Sequence, residues 1–444
     1  MPEGSRPVEM SATVSELLRS CVQCGLCLPH CATWLATGNE VQSPRGRLVL
    51  LDDLVRDRDD LTGPASRTPA PVAYLAAFDQ CIGCRACETA CPSGVPFSLL
   101  ESGMEMAAAH PGITVRPSLP GFVLRRLDRV RFLGFLARIG YFVRGLLTVR
   151  AGHSWRRRLE GGPGYFQRLA RLLGSMPRAP RDDGELVALM RALGQPAVLR
   201  GPDPASAGRG PAAGEVLFFR GCANAGFLPE TSRRLVELLR WAGCRVTDPD
   251  GQQCCGALAG HTGRPGRASS LRAANDRVFS PALEEGAVMV VEAAGCGHEL
   301  KGDFELADAV RDSVEFLAGM ELPALGRLPL KVALHDPCHA RPGLGLVDEP
   351  RTLLDRMPGV TVLEPDEADE CCGSGGAWGL RYPDISDDLG RRKAACLAAT
   401  GADVIVTSNP GCLGQIADGL AFVDDAPTIL PLTDLVWYAA RLDR

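Results

Sequence analysis

The sequence predicts an α+β protein: a helical, cysteine-rich N-terminal domain followed by two duplicated α/β domains. Three observations predict it. Cysteines are spaced identically in two short runs within the first hundred residues. A second cysteine pattern recurs at a fixed offset in the second half. Around that pattern, short apolar runs alternate with helical periodicity, which argues a parallel sheet with helical crossovers.

The first run is Cys21, Cys24, Cys27 and Cys31, and the second is Cys81, Cys84, Cys87 and Cys91, followed by Pro92. Both read C-x2-C-x2-C-x3-C, the spacing of bacterial ferredoxins. A loop with a thiolate at every third position wraps three ligands around one face of an iron–sulfur cubane. The fourth cysteine lies too far along to close the same cluster and ligates the other one. Cys21, Cys24, Cys27 and Cys91 are therefore expected to hold one [4Fe–4S] cluster. Cys81, Cys84, Cys87 and Cys31 are expected to hold a second. That crossing would join two distant segments and bring both clusters within electron-tunnelling range. Structural zinc is the competing reading, but it needs four ligands and commonly uses two separated knuckles, which suits eight overlapping cysteines poorly. Gly25, Gly83, Ser93 and Gly94 keep the backbone close to the cluster, where its N–H groups can tune the potential. This domain is expected to span residues 1–110.

In the second half, Cys222, Cys254–Cys255–Gly256 and Cys296 are matched by Cys338, Cys371–Cys372–Gly373 and Cys412. The offsets of 116, 117 and 116 residues identify a tandem duplication. The expected domains are 213–330 and 331–444. EVLFFRGC and KVALHDPC read as buried strands ending at a cysteine, and GAVMVVEAAGC and ADVIVTSNPGC close each copy in the same way. PETSRRLVELLRWAG and EPRTLLDRM read as helices. The cysteines thus fall at strand ends, where open α/β sheets build their sites. Cys222, Cys254, Cys255 and Cys296 form one candidate metal site, and Cys338, Cys371, Cys372 and Cys412 a second. Each could hold an iron–sulfur cluster or zinc. His335 and His339 flank Cys338 and could serve as outer-shell donors. Cys244 and Cys396 lie outside the pattern and read as plain thiols.

Residues 111–212 contain no cysteine and read as a connector. Arg125, Arg126, Arg129, Arg131, Arg138, Arg144 and Arg150 sit among apolar residues at helical spacing, a face suited to an anionic membrane surface or an acidic partner. Residues 199–214 read as a Pro/Gly/Ala-rich linker.

Composition narrows the function. The 444 residues carry a net charge of −5, giving no overall pull toward nucleic acid. Clustered thiols and an N-terminus without a secretory apolar stretch favour a reducing, cytoplasmic setting over a disulfide framework. No apolar run is long enough to span a membrane, so any contact with one is expected to be peripheral. There is no strand–GxGxxG–helix fingerprint, and none of the three lysines follows a glycine, which removes the dinucleotide and P-loop sites. Oxidising an organic substrate needs a two-electron cofactor, so a separate flavin partner is expected. No catalytic residue is assigned to this chain.

The motifs CVQCGLCLPHCATW, SPRGRLVLL and CIGCRACETACPSGVPF, with FFRGC, CCGAL, AAGCGHELK, LHDPCHA, CCGSGGAWG and NPGC, resemble the iron–sulfur subunit of bacterial glycolate oxidase. The wider group includes subunits of anaerobic glycerol-3-phosphate dehydrogenase, lactate-oxidising complexes and heterodisulfide reductase. The resemblance implies a complex in which FAD-containing subunits oxidise glycolate to glyoxylate. This chain would carry electrons toward the quinone pool at the inner face of the cytoplasmic membrane. Two departures stand out. Heterodisulfide reductase-type repeats place a fifth cysteine where this chain has Glu299 and Gln415, which argues against a five-thiolate cluster and against disulfide reduction. Ala32 also replaces the proline that usually follows the first run.

Overall fold

The computed structural model describes residues 10–59, 71–110, 183–195, 199, 214–261, 264–303, 307–322 and 324–442. The arginine-rich stretch from Arg125 to Arg150 and most of the expected linker lie outside them. The described residues fall into two compact units. One comprises the segments up to His110 together with Asp369–Cys371, and the other comprises the rest.

The first unit is helical. Its helices are α1 (Met10–Arg19), α2 (Ala32–Thr37), α3 (Pro44–Asp59), α4 (Val72–Asp79), α5 (Ala86–Thr89) and α6 (Ser98–Ala109). Leu18 of α1, Leu48, Leu51 and Leu54 of α3, Leu75 and Phe78 of α4, and Leu99 and Leu100 of α6 form one core. Cys21, Cys81, Cys87 and Cys91 pack against that core, so the same apolar contacts that fold the unit also fix the thiols. Proline begins α3, where its missing N–H costs nothing.

The second unit holds two four-stranded sheets of identical order. Strands β1 (Glu215–Phe219), β2 (Arg245–Thr247), β3 (Val288–Val291) and β4 (Val310–Asp312) form the order β2-β1-β3-β4. Strands β5 (Lys331–His335), β6 (Thr361–Leu363), β7 (Val404–Thr407) and β8 (Thr428–Pro431) form the order β6-β5-β7-β8. All pairings are parallel, and their registers match: Val216 faces Val288 in the first sheet and Val332 faces Val404 in the second. The central strands VMVV and VIVT are apolar and almost wholly buried, as parallel strands covered on both faces must be. The α+β architecture and the duplication expected from the sequence are both present.

The two repeats share a core. Val216, Phe218, Leu235 and Val314 of the first join Val332, Leu334, Val404 and Leu435 of the second in one cluster. A buried ion pair crosses it, with Arg234 Nη1 3.1 Å from Asp434 Oδ2 and both side chains inaccessible to solvent. Thr231 Oγ1 also donates to that carboxylate (3.1 Å), and Trp437 Nε1 donates to Glu237 Oε2 (3.0 Å). The helix Asp183–Ala192 contributes Leu186 and Met190, both fully buried, to the same core. Residues 111–212 were expected to be a helical connector and linker. The i,i+4 apolar pair of this helix packs into the body of the repeats.

Candidate metal centres

In the first unit the two cysteine runs coil identically. Backbone φ is positive at the second and fourth positions after the leading cysteine of each run: Gln23 (57°) and Gly25 (80°), then Gly83 (73°) and Arg85 (61°). Glycine takes such angles freely, whereas Gln23 and Arg85 each cost roughly 1–2 kcal/mol there. The sequence places glycine at one of the two points in each run, and at a different one. Strain of this kind persists where the surroundings over-determine it, and a loop of ligands around one centre is such a place.

Cys21, Cys24, Cys27 and Cys91 line one cavity together with Cys87 of the second run, closed on its apolar side by Leu48, Val95, Phe97 and Leu100. Cys31 stands among thiols of both runs. Its charge acts on Cys27 of its own run and on Cys81 and Cys87 of the second, and Cys87 also feels Cys84 and Cys27. Burial pushes the Cys27 and Cys81 thiols up, and Cys87 well up, with the neighbouring thiols adding to the shift at Cys87. Ligation needs thiolates, so filling these sites must expel protons and bring positive charge with it.

Two arginines that sequence reasoning did not assign stand at these thiols. Arg45 donates from Nε to Glu40 Oε1 (2.7 Å) and from Nη1 to Gln23 O (3.1 Å), bracing the first run, and its backbone hydrogen bond lowers Cys27. Arg47 is 1% exposed, and its Nε donates to Ala77 O (2.8 Å) and its Nη2 to Thr33 Oγ1 (3.1 Å). Its charge partly offsets the burial of Cys81. Both belong to the segment SPRGR. Its signal was a pair of arginines two residues apart beginning an otherwise leucine-rich helix.

In the first repeat the thiols converge from three strand-end loops. Cys222 Sγ and Cys254 Sγ are 3.4 Å apart, and Cys255 hydrogen-bonds with both Cys254 and Cys296. Those contacts, then burial, push Cys222 and Cys255 well up. Gly256, at φ 109°, turns the chain out of the cysteine pair. Asn275 holds that turn from both sides, accepting from Gln253 N (2.8 Å) and donating to Cys254 O (3.1 Å). At Gly221 a Cβ would lie 3.2 Å from Cys296 Sγ, so the glycine leaves room for the thiol.

The second repeat is arranged differently. Its tightest group is His335, Cys372 and Cys412, all buried, with donor atoms within 4.8 Å of one another. Among the described residues no other trio of histidine, cysteine or acidic side chains is so close. Asn409 Nδ2 donates to Cys412 Sγ (3.4 Å). Cys371 is buried too, while Cys338 is half-buried with its Sγ 3.8 Å from His339 Nδ1. His339 in turn lies between His261 and His298, at ring separations of 6.3 and 5.1 Å. Gly373 turns the chain at φ 80°, and Ser386 Oγ donates to its carbonyl (2.6 Å). Gln415 at the fifth-ligand position donates to Ser386 O (2.7 Å), and its counterpart Glu299 pairs with Arg272 (2.9 Å). Both positions brace structure. Outside the repeats' pattern, burial raises Cys244 to about 11, with its Sγ 3.8 Å from Met320 Sδ. Cys396 is half-exposed beside Glu367.

Two four-cysteine runs in a helical unit, followed by two cysteine-gathering α/β repeats, define an iron–sulfur protein. A family model described as a 4Fe-4S dicluster domain matches residues 17–95, and one described as a cysteine-rich domain matches residues 216–301 and 332–417. The chain is 30% identical over 434 residues to the probable glycolate oxidase iron–sulfur subunit of Bacillus subtilis, covering 91% of this chain and 89% of the relative. It is 27% identical over 439 residues to the glycolate oxidase iron–sulfur subunit of Escherichia coli, covering 94% and 93%. Lactate utilization protein A 2 of Bacillus cereus is 28% identical over 223 residues, 46% of this chain and 90% of that one. The chain belongs to the family of glycolate oxidase iron–sulfur subunits, and two [4Fe–4S] clusters are its expected complement. No helix among the described residues is long and apolar enough to cross a membrane.

Proposed function

We propose that this chain is the electron-transfer subunit of a flavin-dependent 2-hydroxy-acid dehydrogenase acting on glycolate. It accepts electrons from an FAD-containing subunit and passes them toward a quinone. The observation that carries the reading is the gathering of both four-cysteine runs on one core in the first unit, within a chain related over more than nine-tenths of its length to glycolate oxidase iron–sulfur subunits. Cys21, Cys24, Cys27 and Cys91 hold one [4Fe–4S] cluster, and Cys81, Cys84, Cys87 and Cys31 hold the other. Cys222, Cys254, Cys255 and Cys296 are the ligands of a further centre in the first repeat.

Bound clusters supply one-electron acceptance and release, with potentials set by hydrogen bonding, charge and exposure. The chain's own residues supply the rest. Leu48, Val95, Phe97 and Leu100 wall the first thiol set on its apolar side. Arg45 and Arg47 place positive charge beside thiols that must be ionised to bind. Cys24 is exposed, so the first set reaches the surface where a partner can dock.

The test is to purify the chain anaerobically with its partners and follow dye or quinone reduction with glycolate, lactate and glycerol 3-phosphate. Glycolate-dependent reduction supports the reading. Activity with lactate alone would move the assignment toward the lactate-utilising relatives. An isolated chain that reduced disulfides would overturn it.

A further inference from the structure

The two repeats place different residues at the same strand end. β1 ends at Phe219, registered with Val291, and β5 ends at His335, registered with Thr407. Phe219 is fully buried with its ring 5.7 Å from that of Phe279, an ordinary core contact. His335 is 2% exposed, and neither Nδ1 nor Nε2 has a hydrogen-bond partner. Burying an imidazole with both nitrogens unmet costs about 1–3 kcal/mol per group with nothing returned, so a native chain keeps it where something else meets the ring. The Cys372 and Cys412 thiols crowd with it inside 4.8 Å.

We propose that the second repeat holds a single zinc ion, with His335 as nitrogen ligand and Cys372 and Cys412 as thiolate ligands, whereas the first repeat's centre is all-thiolate. The donor set selects the metal. Zinc takes mixed nitrogen and sulfur ligands in a tetrahedron, at about 2.0–2.1 Å to nitrogen and about 2.3 Å to sulfur, which sets neighbouring ligands about 3–4 Å apart. Iron–sulfur clusters are held mainly by thiolates bound to separate irons, and the first repeat offers four thiols with no histidine among them. The Asn409 amide on Cys412 is the outer-shell donor such a thiolate uses. A fourth ligand completes the tetrahedron, and Cys338 lies on the loop leaving the same strand as His335. Zinc has no redox chemistry, so it braces this repeat and drops out of the electron path. The inference deepens the relay reading above, yet metal identity can be read without turnover, so the two can fail separately.

The experiment is metal analysis and zinc-edge X-ray absorption on the full chain, purified anaerobically with its partners. Wild type should carry about one zinc per chain, with a nitrogen shell near 2.0–2.1 Å beside sulfur near 2.3 Å. His335→Phe, which installs the first repeat's residue, should lower zinc by at least about tenfold while iron content and the cluster EPR signals stay unchanged. Should that variant not fold, His335→Cys decides: it should keep zinc and lose the nitrogen shell. A zinc-free wild type, a sulfur-only shell, zinc retained in His335→Phe, or an unchanged nitrogen shell in His335→Cys would each overturn the proposal.

Discussion

The helical unit and the α/β repeats gather thiols by opposite means. In the first, four cysteines lie within eleven residues of each run, and the loop's own left-handed turns at Gln23, Gly25, Gly83 and Arg85 aim them. In the second, Cys222, Cys254 and Cys296 belong to loops that only a parallel sheet brings together. The exposures differ accordingly: Cys24 is exposed and most of its neighbours half-buried, whereas Cys222, Cys254 and Cys255 are buried. A local ligand loop can sit at a surface and exchange electrons with a partner. A site assembled by a sheet is enclosed by it, because the strands that deliver the ligands are themselves core.

That contrast can be broken most directly at Cys24. Cys24→Ser should remove one cluster from the first unit and lower quinone reduction by orders of magnitude, while glycolate still bleaches the partner's flavin in stopped-flow absorbance. Quinone reduction at the normal rate would show that the first run is not on the electron path. Cys254→Ser probes the other side: the metal of the first repeat should be lost, with the ferredoxin-type EPR signals intact. Loss of both sets of signals from either variant would mean that the thiol sites do not load independently.

Two further substitutions address how the sheet-built region is held. Arg234→Ala leaves Asp434 buried without its partner and should cost about 3–5 kcal/mol, read as a lower denaturation midpoint of the repeats. Burial already raises Asp434 to about 6 despite that arginine, which shows how strongly this interior disfavours charge. Glu292, which accepts from Ser232 Oγ at 2.5 Å, is raised by burial to about 8 against an ordinary value of 4.5. Its folded form holds a proton that its unfolded form has released, so stability falls as pH rises from about 4.5 to about 8. Glu292→Gln should flatten that fall, and the melting-temperature gain over wild type should grow with pH across this window. A gain independent of pH would remove Glu292 as its source. Cys244→Ala should change least, with metal content untouched, since Cys244 only fills core beside Met320.

Much of this was legible from residues alone. Cysteine spacing is a local property, so the two runs could be read directly, and the matched offsets exposed the duplication. The apolar strands β1 and β3 and the helix Pro229–Trp241 carry clear patterns and fall where expected. β4 and β8 were not anticipated: each leads straight into a helix, so its apolar residues merge with the helical pattern that follows. Arg45 and Arg47 escaped assignment because a basic residue on a helix reads as solvated until its burial is known.

The sequence by itself determined the composition of this protein: which thiols exist, in what spacing, and that the second half is one module written twice. Tertiary structure decided the company those thiols keep. Phe219 and His335 occupy the same register in two copies of one sheet, yet one completes a core and the other faces two thiols with both nitrogens unmet. No spacing rule distinguishes them, because what a side chain meets at a strand end depends on the loops that the neighbouring strands deliver there.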